Sequence, residues 1–452
     1  VSESVRVAVI GSGPAGLYAA EELCRHGGVT VDILDRLPCP YGLLRYGVAP
    51  DHLKMKSMEL TLRKVFERPE VRFLGGVELG TDITVADLAE YYDAMVYATG
   101  SAADRRLNIP GEDLPGSLPA TEFVRWYCGH PEAVIDAIRL DVRTAVVVGV
   151  GNVAVDVTRI LAKTADELRE KTDIPDHVLD VLAASTVTDI HMVGRRGPAQ
   201  AKFTTKELRE LGELGNADVV VDPDDLVLDE AAASAVERDK VIRRNLEVLQ
   251  EWAQRPPSGR PRRIHLRFLR SPVAVLGTER VEGVVLERNT LDAAGRVVGT
   301  GDTETLPAQL LVRSVGYRGV PLRDVPFDER AGVIPHQAGR VLRDGAPAVG
   351  EYVVGWIKRG PTGVIGTNKS DARETVATLL GDLDALPRAP HRDPDAIIDL
   401  LERRGTRLVT WQGWQAIEAA ERALGTTAGR SRVKITEREA LLVAAKARAE
   451  DA

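Results

Sequence analysis

Short β-branched runs, each closed by turn residues and followed by a stretch of helical period, recur along the chain and predict strand, turn and helix in that order. Val5–Ile10 is apolar and of strand length, Gly11-Ser12-Gly13-Pro14-Ala15-Gly16 interrupts it, and residues 17–23 take up a helical pattern. A second strand is predicted at 29–34, ending at Asp35, and further strands at 71–74 and 93–100, the last closing in Thr99-Gly100. The succession then restarts: 145–148 is a strand, Gly149-Val150-Gly151-Asn152-Val153-Ala154 breaks it, and 153–162 is helical. Strands follow at 189–193, 219–221, 264–269, 281–286 and 310–316, and the end of that last run echoes Ala98-Thr99-Gly100. A final strand at 352–356 leads through a glycine-rich turn to a helix at 370–383. Residues 163–182 predict a charged helical excursion, 254–263 a Pro/Arg-rich surface loop, and 384–452 a mostly helical extension without an assignable motif.

Alternation of strands and helices predicts an α/β fold with parallel sheets, and its restart predicts two Rossmann-like dinucleotide-binding domains, the second inserted into the first. The expected boundaries are 1–104 for the first segment of the outer domain, 105–322 for the inserted domain, and 323–452 for the return with the C-terminal extension.

Each interruption has phosphate-loop spacing. Gly11 allows the tight turn, Gly13 lets backbone approach a pyrophosphate, and Gly16 lets helix pack on strand, so that phosphate meets free N–H groups at the helix start. Asp35, at the end of the next strand, can accept a hydrogen bond from a free ribose 2′-OH, as in FAD or NAD. The second loop carries Ala154 at the helix-packing position, which tolerates it. At the place equivalent to Asp35 the chain has Arg195 and Arg196. Guanidinium forks suit a 2′-phosphate that a carboxylate would repel, which makes this site specific for NADP(H).

Composition narrows the class. With 452 residues, 44% of them hydrophobic, the chain has core enough for two or three domains, and a net charge of −8 gives no sign of nucleic-acid binding. Cys24, Cys39 and Cys128 form no C-x-x-C pair, which argues against a thiol-disulfide enzyme, a cysteine-ligated cluster or a structural zinc; no metal is expected. No apolar run reaches about 18 residues and no leader pattern is present, so a soluble, cytoplasmic protein without membrane insertion is expected. The turn Gly360-Pro361-Thr362-Gly363 before a helix is suited to setting helix N–H groups against an electron-rich ring, where the dipole favours an anionic reduced flavin.

The segments GSGPAG, PYGLLRYGVAPDH, ATG, NIPGEDLPGS, VGVGNVAVD, VGRRGPAQAKFTTKELREL and VGWIKRGPTGVIGTNKSDA together resemble the adrenodoxin-reductase-like ferredoxin–NADP(+) reductases from about residue 5 to about 380. The resemblance implies a glutathione-reductase-like pair of domains, FAD and NADP(H) as cofactors, and transfer of electrons from NADPH through FAD to a ferredoxin-type iron–sulfur protein. NADPH gives two electrons together and an iron–sulfur cluster accepts one, and a flavin can do both. Carried over by position, the FAD pyrophosphate falls to Gly11, Ser12, Gly13, Pro14, Ala15 and Gly16 and its ribose to Asp35. Leu43, Val77, Trp356, Gly363, Val364 and Ile365 face FAD or the nicotinamide. NADP falls to Gly151, Asn152 and Val153, with Arg195 and Arg196 on the 2′-phosphate and Glu207 and Arg105 nearby. His52 and Glu210 are implied as the pair beside the nicotinamide, in an orienting role, because hydride transfer itself needs no acid or base. Arg243 and Arg244 occupy the stretch that resembles the family's partner-binding region, fitting an acidic ferredoxin of the 2Fe–2S, 3Fe–4S or 4Fe–4S kind, with Lys202, Arg260, Arg262, Arg263 and Arg270 as supplements. The alternative is another FAD/NADPH electron-input enzyme, such as a glutamate-synthase-like subunit or a flavin oxidase or monooxygenase component.

Overall fold

The computed structural model describes residues 4–446. The chain divides into two compact units: one holds the chain up to Ala103, then Cys128–Glu132, then the chain from Gly316 onward, and the other holds Asp104–Tyr127 and Ala133–Val315. The inserted unit therefore closes at Val315, against the expected 322; its last sheet strand, Leu310–Arg313, ends two residues earlier. The five residues Cys128–Glu132 fall to the first unit, where Lys434 Nζ donates to Cys128 O at 2.9 Å and the rings of His130 and Tyr46 lie 4.9 Å apart.

The first unit is built on seven strands in the order His336–Gln337, Arg340–Arg343, Ala346–Val353, Ala94–Tyr97, Val5–Ile10, Val29–Asp35, Val71–Gly75. The last five run parallel, with Val7 opposite both Val31 and Ala94. Parallel strands are covered on both faces, and all six residues of Val5–Ile10 are buried. Strand order reverses at Val5–Ile10, so the loops leaving its C-terminal end diverge and open a crevice where Gly11 begins. One face packs Leu17, Ala20 and Leu23 of the helix Pro14–His26 with Trp414, Ile417, Leu441 and Leu442; the other packs Leu88 and Tyr97 with Ile397 and Leu401. The C-terminal helices Ala396–Arg403, Trp411–Thr427 and Arg438–Lys446 are thus part of this core. They are fastened by Arg45 and Glu421, 2.5 Å apart with side chains 1% and 0% exposed, and Arg45 also lies over the Trp414 ring. Removing one partner of such a pair strands a buried charge.

The second unit has six parallel strands in the order Ser117–Pro119, Leu310–Arg313, Thr144–Val148, Asp189–Val193, Arg262–Arg267, Ala217–Val221, reversing at Thr144–Val148. The run expected at 281–286 lies outside this sheet. It belongs to the antiparallel meander Arg270–Leu276, Gly283–Leu291, Val297–Pro307, whose Val284 and Leu286 pack on Val146 and Leu311. The expected surface loop at 254–263 is present from 255 to 261, exposed along most of its length; the helix Lys240–Gln254 ends where it begins, and Arg262 is already strand, its guanidinium on the carbonyls of Leu161 and Lys163. Arg260 holds Leu214 O and Ala217 O, Arg263 pairs with Asp189, and Arg270 with Asp225 and Glu304. These contacts tie all four arginines into the second unit, with Arg262 and Arg270 buried. Among the described residues no helix is long and apolar enough to cross a membrane.

Candidate functional site

The two glycine loops share the geometry of their first and third positions. Gly11 has φ 113° and its amide donates to Leu34 O at 2.8 Å; Gly149 has φ 137° and its amide donates to Val193 O at 2.8 Å. A Cβ on Gly11 would stand 2.5 Å from Ala98 O, and one on Gly149 2.2 Å from Ser314 O. Ala98 and Ser314 each follow the neighbouring parallel strand, their amides donating to Ile10 O (2.8 Å) and Val148 O (2.7 Å). The third position is packed in both: a Cβ on Gly16 would lie 2.0 Å from Gly11 O, while Ala154 is fully buried.

The middle glycines differ from these. A Cβ on Gly13 would come no closer than 3.9 Å to another residue, and one on Gly151 no closer than 4.0 Å. Both backbones are extended and both residues cap a long helix, Pro14–His26 or Asn152–Ala162, without a side-chain hydrogen bond. No packing inside the protein requires glycine there, and the first-turn amides have no capping side chain. Open space in front of helix N–H groups fits a pyrophosphate.

In the first unit, Asp35 lies against its loop. Its Oδ2 accepts from Ser12 N (2.9 Å) and Ser12 Oγ (2.5 Å), and its Oδ1 accepts from Leu37 N (2.9 Å). Burial pushes the carboxyl up, while the bonds from Ser12 and Leu37 pull it down. A carboxylate offers about four acceptor positions, so one on Oδ1 is left for a hydroxyl. Buried Val77 donates its amide to Asp35 O at 2.8 Å. Gly42 (φ 48°) sits so close to Gly13 that its Cβ would stand 3.0 Å from the Gly13 Cα, which sets Leu43, 42% exposed, beside the loop. Gly355 approaches from the far end of the sequence, its Cβ position 2.6 Å from Ala15 Cβ.

Trp356, expected at a strand end, instead opens the short helix Trp356–Arg359; its Nε1 donates to Thr362 O at 3.2 Å and its ring stacks on Tyr317 at 5.9 Å. Gly363 (φ 83°) and Val364, 64% exposed, precede the helix Thr367–Gly381, whose first residues follow an uncapped Gly366, and Ile365 packs partly on the core. Sequence reading missed what holds this turn. Asp371, buried, accepts from Gly355 N at 2.5 Å and pairs with Lys358 (2.8 Å) and Arg359 (3.0 Å). The one available signal was a Lys-Arg pair at the close of an apolar strand.

In the second unit, Gly194 N donates to Arg267 O at 2.8 Å, Asn289 Nδ2 to Arg195 O at 2.9 Å, and Leu269 N to Arg196 O at 3.1 Å. The backbone of Arg195 and Arg196 is pinned while neither guanidinium has a carboxylate partner among the described residues, the state in which a forked cation can receive a phosphate. Asn152 Oδ1 accepts from Thr204 N at 3.0 Å, and Lys202 N donates to Val150 O at 2.8 Å, fixing the loop against the helix Thr205–Gly212. On that helix Glu207 is buried 3.5 Å from Arg159, and Glu210 lies 3.4 Å from Arg159 and 3.3 Å from Lys206. Arg159, itself buried and also 2.8 Å from Asp156, was missed because it reads as one polar position in an apolar helix. Arg105 is exposed in the segment that opens this unit, and His52, in the first unit, is buried and caps Leu53–Lys56, its carbonyl accepting from Met55 N and Lys56 N.

A family model described as pyridine nucleotide-disulphide oxidoreductase matches residues 5–211. NADPH-ferredoxin reductase FprA of Mycobacterium tuberculosis is 48% identical over 454 residues, spanning 96% of this chain and 98% of its own. Mitochondrial NADPH:adrenodoxin oxidoreductase of Arabidopsis thaliana is 36% identical over 466 residues, spanning 98% and 96%. The solved structure of Mycobacterium tuberculosis FprA in complex with NADPH matches with a TM-score of 0.92 at 46% identity, over 98% of this chain and 99% of that one. This chain belongs to the adrenodoxin-reductase-like ferredoxin–NADP(+) reductase family.

Proposed function

We propose that this chain is a FAD-containing NADPH:ferredoxin oxidoreductase, working in the cytoplasm where NADPH is supplied. The observation that carries the reading is the paired loop: Gly13 and Gly151 both leave space unused by the protein, and only the second loop has two unpaired guanidiniums beside it. When bound, FAD supplies what side chains lack, acceptance of a hydride and release of electrons one at a time.

The residues divide the remaining work. Gly11 to Gly16 would hold the FAD pyrophosphate, Asp35 Oδ1 its ribose, and Leu43, Val77, Trp356 and Gly363 to Ile365 its ring. The start of Thr367–Gly381 would set its positive end toward that ring. Gly151, Asn152 and Val153 would take the NADP pyrophosphate and Arg195 and Arg196 the 2′-phosphate, with Glu207 and Arg105 as neighbours. His52 and Glu210 would orient the nicotinamide. The partner is a ferredoxin of 2Fe–2S, 3Fe–4S or 4Fe–4S type, docking at Arg243 and Arg244. Both are exposed on Lys240–Gln254, and neither has a carboxylate partner among the described residues.

Turnover with NADPH is measured with an acidic ferredoxin and, separately, with oxygen alone. The ferredoxin is reduced many times faster than oxygen is consumed; oxygen use that matches or exceeds ferredoxin reduction would support an oxidase instead.

A further inference from the structure

We propose that the helical face formed by Leu53, Ser57, Leu60 and Lys64, with Lys54 and Thr61 along its rim, is a docking surface for an acidic iron–sulfur protein; this rests on the function proposed above. The helices Leu53–Lys56 and Met58–Phe66 meet at Ser57, whose φ of −63° and ψ of −13° keep the turn helical. Positions 53, 57, 60 and 64 are spaced four, three and four apart, which puts them on one side. All six residues are exposed, Leu53 at 54% and Leu60 at 65%. Two leucines held in water two turns apart on one helix face, with polar positions around them, have the make-up of an interface centre with its rim.

Charge selects the occupant. Residues 53–64 hold Lys54, Lys56, Arg63 and Lys64 against Glu59 alone, in a chain whose net charge is −8. Glu59 lies 3.6 Å from Arg432, Arg63 pairs with Glu418 at 2.8 Å, and Lys56 Nζ reaches Leu44 O and Arg45 O at 3.4 Å. Lys54 and Lys64 are left without a carboxylate among the described residues. The Lys56 bonds also tie this face to Leu43–Tyr46, the segment whose Leu43 is assigned to FAD. A face of 12 residues is about 18 Å long, enough for the small, short-lived contacts of electron transfer.

The test uses the whole holoenzyme, NADPH, and an acidic [2Fe–2S] ferredoxin as probe, with ferricyanide as an acceptor that needs no docking. K54E/K64E raises the KM for ferredoxin about fivefold or more and flattens the fall of kcat/KM with salt. L60Q raises the same KM without changing the salt dependence, and K54R/K64R behaves as wild type. FAD content and ferricyanide turnover stay unchanged in all three. Wild-type ferredoxin KM and salt dependence in both K54E/K64E and L60Q would overturn the proposal. A wild-type enzyme that reduces ferricyanide but passes nothing to ferredoxin would overturn the parent function, and this surface with it.

Discussion

A single oxygen of Asp35 holds both the amide and the hydroxyl of Ser12, at 2.9 and 2.5 Å. The acid at the end of the second strand therefore shapes the first glycine loop, in addition to the ribose role proposed for it. Replacing it with Asn removes the charge and places an NH2 group against donors. D35N loses FAD on gel filtration, its affinity falling about tenfold or more, in line with the loss of charge-assisted hydrogen bonds. The ratio of flavin to protein absorbance measures this, and full retention in D35N would refute the assignment.

The middle and third glycines of the first loop have different reasons to be glycine, and substitution separates them. G13A meets no protein atom closer than 3.9 Å and folds normally, yet retains little FAD; G16A meets Gly11 O at 2.0 Å and does not give a stable fold. In the second loop G151A keeps FAD and thermal stability and weakens NADPH. A G13A protein as yellow as wild type would show that the open space is not a cofactor cradle.

Neutralising Arg195 and Arg196 together acts on one substrate only. R195S/R196S raises the KM for NADPH about tenfold to a hundredfold and leaves that for NADH near its wild-type value, because only NADPH carries the 2′-phosphate. Steady-state kinetics with both nucleotides give the answer. Equal effects would remove the 2′-phosphate assignment.

His191 and His265 stack in the second unit with ring centres 4.3 Å apart, on neighbouring parallel strands. Burial lowers His191 to about 3, with His265 and Arg267 adding to the shift and Asp189 and Glu304 opposing it. Burial also lowers His265, despite its 3.0 Å bond to Asp189, a carboxyl itself held at about 2 by its bonds to His265, Arg263 and Thr188. As pH falls below 6.5 the unfolded chain gains a proton at His191 that the folded chain refuses until about 3, so stability drops as pH falls. Between pH 6.5 and 5 this amounts to about 2 kcal/mol. Urea unfolding at the two pH values shows that loss in wild type and a smaller one in H191F; an identical loss in both would place the acid sensitivity elsewhere.

What the sequence revealed and what it hid have physical causes. Val5–Ile10 and the strand after Arg143 were legible because a parallel strand covered on both faces is a continuous apolar run, and the glycines beside them are obligatory where φ is positive or backbone meets backbone. The strand after Val281 was legible as a strand but not as part of a meander, because local pattern carries no information about the pairing partner. The C-terminal helices read as an extension without a motif, since Trp414 and Glu421 reveal their role only when Arg45 is placed between them. Trp356 was misplaced for a similar reason: the Gly355 turn is fixed by Asp371, 16 residues on, and not by its own neighbours.

The most direct test is an anaerobic titration of the purified yellow protein with NADPH or NADH, followed by oxidised ferredoxin. NADPH bleaches the flavin band at far lower concentration than NADH, and ferredoxin then restores it while becoming reduced itself. A protein that binds no FAD, or whose flavin bleaches equally with both nucleotides and stays bleached when ferredoxin is added, would contradict the account.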